Sequence, residues 1–142
     1  KRQSQRGQRI LGICLGAHVL FDYSEEDGGV HGLGLMHGTV RHITLNSSNT
    51  GWLPCSFDKR LMNEIWKSQK QNISRKQRVN GRVFFNHNYG IQLEEAADID
   101  LKIQSEELSG FSAFVHKKNL IACQFHPEKS QLMGELILKM IL

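Results

Sequence analysis

A cysteine between two glycines is the first feature of the sequence that could carry chemistry. The motif Gly-Ile-Cys-Leu-Gly occupies residues 12–16, and Cys14 follows the short apolar run Ile10–Ile13. A nucleophile on a sharp strand-to-helix turn needs small neighbours, because the backbone is crowded and strained there. Such a turn would expose the sulfur at a helix N-terminus, where backbone N–H groups favour thiolate over thiol. The motif predicts a nucleophilic Cys14, while simple strand–helix packing is the alternative explanation for its small residues.

A histidine and a glutamate two residues apart offer the groups that such a cysteine needs. His126, Pro127 and Glu128 directly follow a predicted strand. An imidazole titrates in the range needed to take the thiol proton and return it to a leaving group. Pro127 disfavours a helical conformation at His126, so both side chains can lie at the strand end. The alternative, a surface His–Glu pair without function, weakens when the pair is considered together with the Cys14 motif.

The other cysteines and histidines predict neither a disulfide framework nor a metal site. Cys14, Cys55 and Cys123 are odd in number and form no C-x-x-C motif, which favours a reducing, cytoplasmic setting. Cys123 lies in an apolar strand and is expected in the core, as free cysteines usually are, whereas Cys55 is expected in a loop. Four histidines lack the spacing of metal ligands: His31, His37, His42 and His116. We therefore expect no metal and no cofactor.

The elements that would position these groups mix strands and helices. Strands are predicted at residues 10–13, 39–44 and 82–85, with a hairpin formed by 111–116 and 120–125. Helices are predicted at 15–26, ended by Asp-Gly-Gly at 27–29, at 61–66, and at the C-terminus from residue 132. The polar, basic stretch 68–80 is predicted to be a loop. This mixture favours the α/β class and a single domain over residues 1–142.

Composition and charge narrow the class of protein. The chain has 142 residues, of which 39% are hydrophobic, and contains 13 Gly and 2 Pro, which suits one globular domain. No apolar run approaches the roughly 18–20 residues that cross a bilayer, and no signal peptide is evident. The net charge is +4, and six basic residues with no acidic one lie between positions 67 and 82. No nucleic-acid motif frames this run, so we expect a solvated loop and no nucleic-acid partner.

Taken together, the motifs at 12–16 and 126–128 resemble the paired signatures of class I glutamine amidotransferases. Five further stretches are similar to the HisH family, the glutaminase subunit of imidazole glycerol phosphate synthase: residues 32–35, 38–41, 51–52, 85–89 and 125–130. The Lys129-Ser130 continuation is the most discriminating, because it is typical of HisH rather than of the anthranilate or GMP relatives. The resemblance runs from about Gly7 to the C-terminus. It implies a flavodoxin-like class I glutamine amidotransferase fold with a central, mostly parallel sheet.

This resemblance implies a Cys-His-Glu triad. Cys14 would attack the side-chain amide of glutamine, His126 would shuttle the proton, and Glu128 would orient His126. The products would be glutamate, released from a γ-glutamyl thioester, and ammonia. The ammonia would pass to a HisF-like (β/α)8 synthase subunit in histidine biosynthesis.

The resemblance also implies substrate-binding residues. His87, Asn88 and Tyr89 match the family segment that cradles glutamine, and Gly16 lies beside the nucleophile in the pocket. His18 stands where the family usually has Gln. An imidazole lacks the paired donor and acceptor of an amide, so the affinity for glutamine is expected to be altered.

Full family members begin with elements ahead of the nucleophile, including a Gly-rich loop that forms part of the oxyanion hole. By that comparison the sequence is expected to be an N-terminally truncated domain. Removing an oxyanion donor typically costs about 2.7–4 kcal/mol of transition-state stabilisation, and missing strands would expose a sheet edge. The expectation is little glutaminase activity for the chain alone, or pairing of the edge with a second copy in a homo-oligomer.

Two alternative functions remain open. One is a HisH-like paralogue that feeds ammonia to a sugar-modifying amidotransferase in surface-polysaccharide synthesis, which His18 and the unusual segment 48–50 would suit. The other is a non-catalytic truncated module that binds or oligomerises.

Overall fold

The computed structural model describes residues 2–43, 50–57, 81–94, 101–105 and 110–141. Two helices and five strands precede residue 58: α1 (Arg2–Gln5), β1 (Ile10–Ile13), α2 (Leu15–His18), β2 (Tyr23–Ser24), β3 (Val30–His31), β4 (Gly38–His42) and β5 (Thr50–Phe57). They are followed by β6 (Gly81–Asn86), β7 (Tyr89–Leu93), β8 (Leu101–Ser105), β9 (Ser112–Lys117), β10 (Leu120–Cys123) and α3 (Gln131–Ile141). Single 3-10 turns lie at Glu26–Gly28 and Pro127–Lys129. No helix among these residues is long and apolar enough to cross a membrane.

The strands form one mixed sheet. Its main path runs β3-β2-β4-β7-β9-β8-β5-β6, and β10 joins β9 to β1. In the described residues two pairings are parallel, β1 with β10 and β2 with β4, and the other seven are antiparallel. The expected α/β class is confirmed, but this part of the sheet is not mostly parallel. Neighbouring strands such as β9 and β10 are joined by tight turns, which permit only antiparallel pairing.

Two apolar clusters cover opposite faces of β10. Ile121 and Cys123 belong to the cluster that contains α3, whereas Leu120 and Ala122 belong to the cluster that contains Ala17 of α2. All four residues of β10 are buried, as expected of a strand with both faces covered. The strand that leads to His126 is therefore held at the centre of the molecule.

Most predicted elements are confirmed. The strand at 10–13 has the predicted bounds, and strands also occupy the predicted positions near 39–44 and 82–85. The hairpin pairs β9 with β10 around a turn at residues 118–119, and the C-terminal helix is present. Cys123 is fully buried, as predicted. The predicted helix at 61–66 and the loop at 68–80 lie outside the described residues.

Two predictions are wrong. The helix expected over 15–26 ends at His18 and is followed by β2 and a 3-10 turn. Its backbone acceptors are taken by a distant segment, because Leu33 N–H donates to the Val19 carbonyl and Met36 N–H to the Leu20 carbonyl. Cys55 lies buried in strand β5 rather than in a loop.

Candidate active site

Cys14 lies on a sharp turn between β1 and α2. Its φ of 52° and ψ of −116° are an unusual conformation for a residue with a Cβ atom. The turn is fixed by hydrogen bonds, since Cys14 N–H donates to the Cys123 carbonyl (2.7 Å) and Ala17 N–H donates to the Cys14 carbonyl (2.9 Å). Strained backbone of this kind costs of order 1–3 kcal/mol and clusters at functional sites.

Close packing requires glycine at only one of the two positions that flank Cys14, Gly12 and Gly16. A Cβ atom on Gly12 would lie 2.3 Å from the Gly16 carbonyl oxygen, so close packing requires glycine there. A Cβ atom on Gly16 would meet nothing within 4 Å. Packing therefore explains Gly12 but not Gly16, whose exposed position leaves open space beside Cys14.

The environment of Cys14 favours the neutral thiol. Burial raises the pKa of the Cys14 thiol above its usual range, and the charges of Glu26 and Glu128 raise it further. A hydrogen bond from the Leu15 N–H lowers this pKa, but the net shift is upward. The expectation that the turn favours thiolate is wrong, because the combined effect on the Cys14 pKa is upward. Helix α2 has only four residues, so few aligned peptide dipoles oppose the burial and the two carboxylates.

His126 and Glu128 form a close pair after β10. The Nδ1 atom of His126 lies 2.7 Å from Oε1 of Glu128, and their side chains are 20% and 52% exposed. The His126 backbone is fixed on both sides: its N–H donates to the Phe84 carbonyl (2.8 Å), and its carbonyl accepts from the Ser130 hydroxyl (2.6 Å). An imidazole held by a carboxylate on Nδ1 presents Nε2 to other groups.

The sheet brings this pair to the same end as Cys14. Strands β1 and β10 are parallel neighbours with Ile13 opposite Cys123, so the segments that carry Cys14 and His126 leave adjacent strands in the same direction. Glu128 is near enough for its charge to raise the pKa of Cys14. Among the described residues, no hydrogen bond joins the Cys14 thiol to His126. Catalytic hydrogen bonds are often long without substrate and tighten on binding.

Two of the predicted substrate-binding residues meet at Glu26, which the sequence did not indicate. The Nδ1 atom of His18 lies 3.2 Å from Oε2 of Glu26, and Nε2 of His87 lies 3.4 Å from Oε1. The two imidazole rings are in edge contact with centroids 4.5 Å apart. His18 is buried and its Nε2 lies 2.9 Å from Oε1 of Gln124. Burial lowers the pKa of His18, so the neutral ring is favoured.

The remaining predicted residues lie around this group. Tyr89 N–H donates to Nδ1 of His87 (3.0 Å), and the Tyr89 ring contacts His42 on neighbouring strand β4. Asn88 is exposed, and its carbonyl accepts from Ile43 N–H. No described contact links Asn88 or Tyr89 to Cys14.

A cavity of about 190 Å³ opens beside this group. Its polar wall includes His18, Ser24 and Glu26, and its apolar wall includes Val30 and Leu33. Leu15, the residue after Cys14, also lines it. The cavity is therefore lined both by the residue after the nucleophile and by the His18–Glu26 contact.

Comparisons with known proteins agree on one family. The sequence profile described as "Glutamine amidotransferase class-I" matches residues 1–139. Proteins named "Imidazole glycerol phosphate synthase subunit HisH" match nearly the whole chain. The one from Prochlorococcus marinus MED4 is 32% identical over 145 residues, which cover 98% of this chain and 64% of the relative. The one from Gloeobacter violaceus is 39% identical over 137 residues, covering 94% and 56%.

The chain spans less than two thirds of the length of these relatives. Among solved structures, a putative GMP synthase subunit from Thermoplasma acidophilum superposes with a TM-score of 0.56 at 21% identity. The match covers 97% of this chain and 58% of that structure, and at this identity it supports the fold.

Proposed function

The chain belongs to the class I glutamine amidotransferase family, and on that premise we propose that it carries the glutaminase function of a HisH-like subunit. In this proposal residues 1–142 act as one amidotransferase domain that hydrolyses glutamine to glutamate and ammonia. The observation that supports it best is the strained turn at Cys14 beside the 2.7 Å His126–Glu128 pair. The HisH names of relatives at 31–39% identity support the choice within the family.

The proposed reaction uses three residues. The Cys14 sulfur attacks the carbonyl carbon of the glutamine side chain while its proton passes to His126. The C–N bond then breaks, His126 protonates the leaving nitrogen, and ammonia departs from a γ-glutamyl thioester. Water hydrolyses the thioester to glutamate and restores the thiol. Glu128 accepts the hydrogen bond from Nδ1 of His126 and stabilises its charged form.

Because burial and two carboxylates hold Cys14 as a thiol, the proton must be removed during attack rather than beforehand. This gives His126 the role of general base, which efficient catalysis requires of a nucleophile with a raised pKa. Gly16, His18, His87, Asn88 and Tyr89 are proposed to surround the glutamine.

We also propose the setting of the reaction. The ammonia acceptor would be a HisF-like (β/α)8 synthase subunit, so the product would serve histidine biosynthesis. An odd number of cysteines without a C-x-x-C motif suits the reducing cytoplasm. Strand β1 has only one neighbour among the described strands, and its other edge is proposed to pair with a second copy of the chain.

Covalent trapping tests the nucleophile directly. A diazoketone analogue of glutamine should alkylate Cys14 and release nitrogen, which mass spectrometry of the tryptic peptides would locate. Cys14→Ser should abolish labelling, whereas Cys55→Ser, at a buried cysteine in β5, should retain it. Labelling that glutamine does not slow, or that persists in Cys14→Ser, would contradict the proposal.

A further inference from the structure

We propose that His18, Glu26 and His87 form a binding site for a divalent transition metal of the zinc class. One ligand atom from each residue lies within 4.8 Å of the other two. The residues come from α2, the following 3-10 turn and the segment after β6, so their sequence spacing does not reveal the cluster. The site shares His18 and His87 with the proposed glutamine pocket, so zinc and glutamine would compete for these residues, and it replaces the expectation of no metal.

Both imidazole rings point one nitrogen at the same carboxylate. Nδ1 of His18 lies 3.2 Å from Oε2 of Glu26, and Nε2 of His87 lies 3.4 Å from Oε1. Two nitrogens and one carboxylate are a common ligand set for zinc in sites that keep a fourth position open. Binding would bring these atoms to about 2.0–2.2 Å from the ion.

In each imidazole, the ring nitrogen that does not face Glu26 lies near a carbonyl oxygen. Nε2 of His18 lies 2.9 Å from Oε1 of Gln124, and Nδ1 of His87 lies 3.2 Å from the Tyr89 carbonyl. A histidine that binds metal usually donates its other N–H to such an oxygen, which fixes the tautomer and orients the ring. The Tyr89 N–H donates to Nδ1 of His87 at 3.0 Å, so zinc binding at Nε2 would move the ring proton to Nδ1 and replace this hydrogen bond by one to the Tyr89 carbonyl.

One of the two neutral tautomers of His18 places a lone pair against a carboxylate. If Nε2 of buried His18 donates to Gln124, the neutral ring presents an unprotonated Nδ1 to Glu26. In that tautomer the two acceptors would lie 3.2 Å apart, and a cation between them would satisfy both. The adjoining cavity gives room for a water molecule at the fourth position.

Zinc titration tests the site without any activity assay. Chain stripped with a chelator should take up one zinc ion per molecule, measured by competition with a chromophoric indicator. His87→Ala and Glu26→Gln should weaken binding at least tenfold. His37→Ala is the matched control, because His37 also contacts a carboxylate, Asp22 at 3.4 Å, but on the exposed surface; it should retain full affinity.

The visible absorption spectrum of cobalt bound to the unmodified chain independently identifies the ligand atoms. Cobalt should produce visible d–d bands without a thiolate charge-transfer band, since the proposed ligands are nitrogen and oxygen. A thiolate band that disappears in Cys14→Ser would overturn the proposal by identifying a cysteine site. Absence of zinc uptake would overturn it in favour of a hydrogen-bonded cluster, with the Gln124 amide turned to donate to His18. Equal zinc affinity in Glu26→Gln and His37→Ala would also overturn it.

Discussion

At the scale of single residues, Cys14 combines a strained backbone with a neutral side chain. The cysteine-glycine motif predicted the turn correctly, because the close approach of Gly12 to Gly16 is a local requirement. It did not predict the protonation state, because Glu26 and Glu128 reach Cys14 only through the tertiary fold. A local motif thus specifies backbone geometry better than it specifies electrostatics.

The raised pKa of Cys14 predicts a pH dependence for its alkylation. Only the thiolate reacts with iodoacetamide, and a raised pKa means that thiolate forms at higher pH than in an ordinary cysteine. The rate of labelling at Cys14, followed by peptide mass spectrometry in the presence of a chelator, should therefore reach its midpoint above that of free cysteine. Glu26→Gln should lower this midpoint, because it removes a negative charge that disfavours thiolate.

Asp22→Asn is the control for this experiment, since Asp22 is not among the groups that shift the Cys14 pKa. Its midpoint should equal that of the unmodified chain. A midpoint below that of free cysteine would mean that the Leu15 N–H outweighs burial, which would contradict the prediction.

Two buried serines predict different costs for the same substitution to alanine. The Ser130 hydroxyl accepts from Phe84 N–H at 3.0 Å and donates to the His126 carbonyl at 2.6 Å. The Ser112 hydroxyl has no hydrogen-bond partner among the described residues. Ser130→Ala should cost about 1–3 kcal/mol of unfolding free energy, whereas Ser112→Ala should be close to neutral. Urea unfolding would measure both, and equal costs would show that the Ser130 bonds do not fix His126.

At the scale of elements, the strands and helix with their own apolar pattern were predictable. Strand β1 and the β9–β10 hairpin contain short apolar runs bounded by polar residues, and α3 has apolar residues at helical spacing. The segment after His18 was not predictable in this way. Leu15 and Val19 have helical spacing but are 57% and 46% exposed, and the nearby carbonyls bond to residues 32–36. The helical spacing in this segment did not produce a buried helix face, and backbone hydrogen bonds to residues 32–36 determined its structure instead.

The junction between β1 and α2 predicts a contrast between its two glycines. Gly12→Ala would place a Cβ atom 2.3 Å from the Gly16 carbonyl oxygen and 2.8 Å from Cα of Ala17. Relieving this overlap requires a backbone shift and should cost about 1–3 kcal/mol. Gly16→Ala adds a Cβ atom in open space and should leave stability unchanged or raise it by up to about 1 kcal/mol. Thermal unfolding would measure the difference, and equal melting temperatures would contradict the packing role of Gly12.

At the scale of the whole molecule, a central strand organises both the core and the site. Strand β10 is covered on both faces and pairs with β9 and β1, and the segments that follow β1 and β10 carry the proposed triad. The α/β class followed from the alternation of elements, but the antiparallel pairings could not be predicted. Strand order depends on which connections are short enough to fold back, and β2, β3, β5, β7 and β8 carried no clear strand signal.

Among the described strands β1 pairs only with β10, and its other edge predicts self-association. In the parallel pair, the N–H groups of Ile10 and Cys14 point toward β10, so those of Leu11 and Ile13 point toward the other edge. An unpaired edge is a template for another strand. Light scattering after size exclusion should therefore give a dimer at micromolar concentration. Leu11→Pro removes one outward N–H and should shift the chain to monomer, whereas Leu11→Ala loses the same side-chain packing but keeps the N–H and should remain dimeric. A monomeric unmodified chain, or equal dissociation of both variants, would contradict pairing through this edge.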